Sequence, residues 1–147
     1  MSKKEKNDLF YVCSLLEYIA RITKNERADI VKLLGKQELE RQLELAEVNH
    51  CLSFEQVADE LIEDYGIQEG QYDSVGECLY EVPSFLAIGK DYQRLVEDVQ
   101  QDKGLVETLY GVMTSFIVKE ISNFNSSVYY SSREYLKACY EAGMLLE

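Results

Sequence analysis

An all-α fold is predicted by three features of the sequence. Apolar residues recur at steps of three and four along most of the chain, no stretch sustains the period-two alternation of a half-buried strand, and neither an Asn-Gly nor an Asp-Gly hairpin turn occurs. The expected architecture is a compact bundle of about seven helices joined by short loops, with room for two helical subdomains.

Each helix has its own signal. Leu9, Cys13, Leu16, Ile19, Ala20 and Thr23 mark one face of a first helix, preceded by a solvated MSKKEK start. Asn25 offers a cap for a short second helix carrying Ile30, Val31 and Leu34, which Gly35 ends. Leu39, Leu43 and Ala46 mark a third. Ser53 and Gln56 stand at the two positions of a capping box and open a fourth, with Val57, Ala58, Leu61, Ile62 and Tyr65 inward and a stop at Gly66.

Residues 66–77, GIQEGQYDSVGE, hold three glycines and three acids and read as a loop. It separates an N-terminal four-helix region, 1–65, from a C-terminal three-helix region, 78–147. Residues 78–82 carry no clear period. Pro83 suits the first turn of a fifth helix with Leu86, Tyr92, Leu95, Val96 and Val99 inward. The cleanest period, from Leu105 through Phe116 to Phe124, predicts a long sixth helix at the centre of the core. Ser131 and Glu134 form a second capping box, with Tyr130 and Tyr135 as its hydrophobic staple, and open a last helix with Leu136, Cys139 and Tyr140 inward.

Composition narrows the function. Fifteen basic against 27 acidic side chains give a net charge of −12, which repels a phosphate backbone. Direct nucleic-acid binding is therefore not expected, and the excess is spread over both halves of the chain rather than gathered in an acidic tail. Cys13, Cys51, Cys78 and Cys139 form no C-x-x-C pair, and the amino terminus has no apolar signal-peptide core, which points to free thiols in a reducing cytoplasm. No apolar run approaches the ~20 residues of a membrane span.

The single histidine constrains chemistry further. Glu47 and His50 match one Glu-x-x-His unit of a di-iron bundle, but such bundles need two units. His50 and Cys51 are adjacent, so their side chains leave the backbone in different directions and make a poor nucleophile pair. Arg41 lies too far from His50 for the Arg-x4-6-His motif of small helical ribonucleases. Phosphate-loop and dinucleotide-binding glycine patterns are absent, and KQELERQLELAE is too acidic for a recognition helix. No catalytic, metal-ligating or cofactor-binding residue is assigned.

Eleven tyrosines and no tryptophan direct attention to protein interfaces, where tyrosine is enriched. The stretch FNSSVYYSSREY, residues 124–135, contains the densest cluster. Tyr135 and Tyr140 share a helical face and are expected in the core, whereas Tyr129 in the connector is expected to be exposed. The candidate partner-binding residues are Asn123, Asn125, Tyr129, Tyr130 and His50.

From Leu9 to Leu61, on LFYVCSLLEYIA, the LLG turn and HCLSFEQVADEL with His50, Ser53 and Glu55, the chain resembles a bacterial family of unknown function. Its short helical members are encoded beside ADP-ribosyltransferase-like toxins. Where that family carries a tyrosine four residues before the histidine, this sequence has Ala46. IGKDYQRLVEDV and NFNSSVYYSSREYLKACYEAG look like other small proteins of the same loci. The resemblance implies a toxin-neutralising or accessory partner. The expected function is therefore that of a non-enzymatic cytoplasmic protein-binding factor, antitoxin-like or regulatory, with homo-oligomerisation left open. The alternative is an acidic DNA mimic that inhibits a nucleic-acid enzyme, as phage anti-defence proteins do.

Overall fold

Ser2 and Glu5 begin the first helix by satisfying each other's free backbone groups: Glu5 N donates to Ser2 Oγ and Ser2 N to Glu5 Oε1, both at 3.1 Å. In the computed structural model, which describes all 147 residues, α1 therefore spans Lys3–Thr23 and takes in most of the stretch expected to be a loose start. It is about 31 Å long. Every residue from Tyr11 to Glu17 is buried, the mark of a helix covered on all sides. α1 is the centre of the fold, a place the sequence pattern assigns to the sixth helix.

α2, Arg27–Asn49, is bent at Gly35, whose φ of 78° and ψ of 169° lie in a region open almost only to glycine. Residues 27–34 and 36–49 are the expected second and third helices in near continuity. Glu26, not Asn25, holds the cap position, and its side chain makes no cap bond. Asn25 Nδ2 instead donates to Thr23 Oγ1 at 3.0 Å and Gln68 O at 2.9 Å, fastening a later loop to the end of α1.

α3, Phe54–Tyr65, opens with the expected Ser53–Gln56 box and ends at left-handed Gly66. Tyr65 is exposed rather than inward, because its hydroxyl reaches out to Glu38 Oε1 at 2.7 Å. The following loop extends past residue 77 to Ser84, which caps α4, Phe85–Val99. Pro83 thus lies two residues ahead of the helix rather than in its first turn. α4 crosses α1 where Gly89 meets Ser14: a Cβ on Gly89 would stand 2.8 Å from Ser14 Cα and 2.9 Å from Ser14 N.

The predicted long sixth helix is two, α5 (Leu105–Met113) and α6 (Phe116–Ser122). At the break, Thr114 Oγ1 donates to Tyr110 O at 2.8 Å and Ser115 Oγ to Val112 O at 2.6 Å, so hydroxyls compete for the helical carbonyls. A 3-10 turn at Val128–Tyr130 leads to α7, Arg133–Ala142. Its cap is Ser132, one residue later than expected, with Tyr135 N donating to Ser132 Oγ at 3.2 Å and no reciprocal glutamate. That shift removes the Tyr130–Tyr135 staple.

The chain is all-α, and its buried side chains from both halves form one connected core. Seven α-helices result because the fusion across Gly35 and the split at Thr114 offset each other. No helix is long and apolar enough to cross a membrane.

Candidate functional site

Three places on α1 carry unusual side-chain chemistry: a buried ionic network near its carboxy-terminal end, a tyrosine-rich face beside it, and an aromatic cleft at its amino-terminal end.

The network centres on Glu17, wholly buried between α1, α2 and α4. Arg27 Nε donates to Glu17 Oε1 at 2.8 Å and Nη2 to Oε2 at 2.5 Å, Arg21 Nε to Oε2 at 2.7 Å, and Tyr92 Oη to Oε1 at 2.8 Å. Arg27 continues to Ser74 Oγ at 3.1 Å and so holds the 67–84 loop. Burial alone would raise the Glu17 carboxyl, but the flanking Arg27 and Arg21 guanidiniums outweigh it and hold the group below the usual carboxylate range. Burial, then the Glu17 charge, pushes the Tyr92 hydroxyl far upward. With both carboxylate oxygens engaged and Glu17 wholly buried, the cluster fixes helix positions.

Neither Glu17 nor Arg27 stands out in the sequence as a site. The available signal is positional: Glu17 falls beside the Cys13, Leu16 and Ala20 stripe, and Arg27 precedes Ile30 and Val31 by one turn.

The tyrosine-rich face rests on the same end of α1. The Arg21 guanidinium lies 4.9 Å above the ring of buried Phe124, Tyr129 packs edge-on to Phe124 at 6.0 Å, and Tyr130 lies on Tyr129 at 4.2 Å. Asn125 clamps the neighbouring loop: its Oδ1 accepts from Leu79 N at 2.7 Å and its Nδ2 donates to Glu77 O at 3.0 Å. Asn123 Oδ1 accepts from Asn125 N at 3.2 Å and steadies that clamp. The tips it presents are Leu79, Tyr80 and Tyr130, with 81%, 68% and 78% of their surfaces exposed.

Tyr129, expected to be the exposed ring, is the half-buried base, and Tyr130 takes the exposed position. The Tyr129 hydroxyl is pushed up to about 12 by the adjacent Tyr130 hydroxyl, with burial and the nearby Cys78 and Glu81 adding to it. Leu79 and Tyr80 are additions that the sequence pattern does not provide.

His50 does not join this face. It ends α2 at the opposite end of α1, where it meets the ring of Tyr11 edge-on at 6.5 Å. The ten residues from Tyr11 to Arg21 put about 15 Å between the two regions. Around His50 opens a cleft of about 840 Å³ whose floor includes Phe10, Tyr11, Phe54 and Leu86. Tyr11 stacks on Phe54 at 5.2 Å, and Lys90 lies 5.3 Å above Phe10. Glu47 turns toward Lys4, 3.8 Å away. No three His, Cys, Asp or Glu side chains gather in a metal-binding arrangement.

Comparison with protein-family models, curated proteins and solved structures finds no match to this chain.

Proposed function

We propose that the chain is a protein-binding factor without bond-making chemistry of its own, and that it engages its partner through Leu79, Tyr80 and Tyr130. The observation that carries this reading is the presentation of three large, exposed apolar side chains, Leu79 and Tyr80 on a loop clamped by Asn125 and Tyr130 on the 3-10 turn against Tyr129. A backbone held before binding loses little conformational entropy on association, which favours its use as an interface. Glu77 and Glu81 beside them are exposed as well, so the matching surface is an apolar recess rimmed by basic groups. The resemblance to proteins of toxin loci makes an antitoxin-like or regulatory role the form of this proposal, with the toxin as first candidate partner.

The experiment is a co-purification of the tagged chain with its neighbouring gene products, repeated with Leu79→Asp and Tyr130→Ala. A partner retained by the parent and by His50→Ala, yet weakened about 30-fold or more by either face variant, supports the reading. Equal retention by all four chains sinks it.

A second reading, the DNA mimic, draws on α3. Glu55, Asp59 and Glu63 are exposed at successive four-residue steps, so they stand in a line about 6 Å apart. Its partner would be a basic nucleic-acid enzyme, and its binding would weaken steeply with salt and depend on α3 rather than on Tyr130.

A further inference from the structure

The acidic excess is divided between the two halves of the chain, but it is concentrated within them. From Gln42 to Gly89 there are 11 acidic side chains and no lysine or arginine, whereas the remaining 99 residues hold 16 acidic and 15 basic ones. Nearly the whole net charge therefore sits on the second half of α2, on α3 and on the loop before α4. We infer that this segment is a steering surface, which draws a strongly basic protein onto the Leu79, Tyr80 and Tyr130 face and sets how fast it associates. The inference rests on the protein-binding reading and deepens it by fixing the charge of the partner.

The charges are free to act outward. Asp73 is partly exposed and the other ten acids are exposed. Only two of them meet a base, Glu47 at 3.8 Å from Lys4 and Glu69 at 3.3 Å from Lys24. Unpaired charges of one sign sum into a field that reaches about 8–10 Å into physiological salt, and such a field acts chiefly on encounter. Individual exposed ion pairs add little to stability, so the acids contribute to rate more than to the lifetime of a complex. Leu79 and Tyr80 lie inside the same base-free segment, between exposed Glu77 and Glu81. A basic surface attracted to the segment thus meets apolar tips where it lands, and those tips set how long it stays. In the DNA-mimic reading the acids themselves make the contact; here they deliver the partner to Leu79, Tyr80 and Tyr130.

The chain has no tryptophan, so a peptide in which arginines and lysines flank a Leu-Trp-Leu centre reports binding to the full-length protein by its own emission in stopped flow. Raising salt from about 0.05 to 0.5 M should slow association about tenfold or more and change dissociation less than about threefold. Asp59→Asn with Glu60→Gln and Glu63→Gln, at exposed positions of α3, should slow association about threefold or more at low salt. The same number of changes outside the segment, Asp102→Asn with Glu134→Gln and Glu141→Gln, should leave the rate within about 1.5-fold of the parent. Leu79→Ala with Tyr80→Ala should speed dissociation about tenfold or more and leave association nearly unchanged. Equal slowing by the two charge variants, or none by the α3 variant, overturns the steering inference and leaves the protein-binding reading standing. Dissociation unmoved by the Leu79 and Tyr80 changes overturns both. A probe that fails to bind, or one with acids in place of its bases that associates as fast, also overturns the inference.

Discussion

At the carboxy-terminal end of α1, Glu17 lies in the core with four hydrogen bonds aimed at its two oxygens, whereas near the other end Tyr11 keeps a buried hydroxyl with none. One helix therefore carries a polar group that is over-determined and another that is unsatisfied, about two turns apart. The first costs desolvation and returns a fixed geometry for α1, α2, α4 and the 67–84 loop. The second costs stability and returns nothing within the chain itself. The network also supports the tyrosine-rich face from beneath through Arg21 and Phe124, although Arg21 Nη2 is itself left without a partner.

The largest effect is expected from breaking the satisfied end. Glu17→Ala leaves Arg27, Arg21 and the Tyr92 hydroxyl buried without their acceptor, and should cost about 3–5 kcal/mol of unfolding free energy in a urea titration. The double variant Glu17→Leu with Arg27→Met removes the two fully buried charges together, leaves Arg21 and the Tyr92 hydroxyl without their acceptor, and should recover part of that loss. If the single and double variants are equally damaged, the network is not acting as an ion pair.

Gly89→Ala tests the crossing that lies between the two ends. The added methyl meets the Ser14 hydroxyl and also the Ser14 backbone, so moving the hydroxyl aside is not enough and α4 must shift away from α1. A loss of about 1–3 kcal/mol is expected, with a lowered midpoint and little change in the urea slope. Ser14→Gly in the same chain removes the Ser14 side chain but leaves its backbone in place, so it should not rescue.

These contrasts also explain what the sequence makes legible. The Ser53–Gln56 box, the Gly66 stop and the inward Val57, Ala58 and Leu61 are local signals, and local hydrogen bonding delivers them. The same S-x-x-E signature stands at Ser2 and Glu5, where the lysine-rich surroundings suggest a solvated tail although the cap is made. Thr114 and Ser115 interrupt a periodic apolar stripe without disturbing its spacing, so periodicity alone carries the helix straight through them. Glu17 and Arg27 use letters that ordinarily mean solvent; only their tertiary meeting makes them core. Within the candidate site, Tyr130 and Asn125 are visible as parts of a tyrosine-rich connector. Leu79 and Tyr80 are not, because the exposure of an apolar residue in a loop is decided by the clamp at Asn125, 46 residues away from Leu79. His50 draws attention as the lone histidine, and its distance from the connector is a property of the fold.

The pH dependence separates two carboxyls of opposite sign. Glu17 is held below the ordinary carboxylate pKa of about 4.3, so its stabilisation is complete above that pH and is lost as pH falls through its lower folded value. Asp91, on α4, is raised to about 6 by burial, with Arg94 offsetting only part of this. Its folded pKa exceeds the unfolded one of about 3.9, so its contribution is complete below pH 4 and is lost as pH rises through 6. Stability should therefore increase modestly from pH 7 to pH 5 and decline below pH 4. Asp91→Asn should remove the upper limb and stabilise the protein at pH 7 by about 1 kcal/mol, after allowance for solvent screening of a half-buried group. Thermal midpoints across this range check both limbs, and an unchanged upper limb in the variant counts against Asp91 as its origin.

Tyr11→Phe has the smallest expected effect on stability and separates the two ends most cleanly. A hydroxyl that is buried and unpaired contributes a desolvation cost and no compensating bond, so deleting it should leave the free protein as stable as the parent or up to about 1 kcal/mol more stable. Ring stacking on Phe54 and the contact with His50 are kept, since both use the aromatic face and edge. Tyr92→Phe is the same deletion where the hydroxyl is engaged with Glu17, and it should destabilise by about 1.5–3 kcal/mol, the range for a hydrogen bond to a charged group. Urea titrations of the two variants side by side provide the measurement. Destabilisation by Tyr11→Phe as large as that by Tyr92→Phe means that the Tyr11 hydroxyl has a partner in solution.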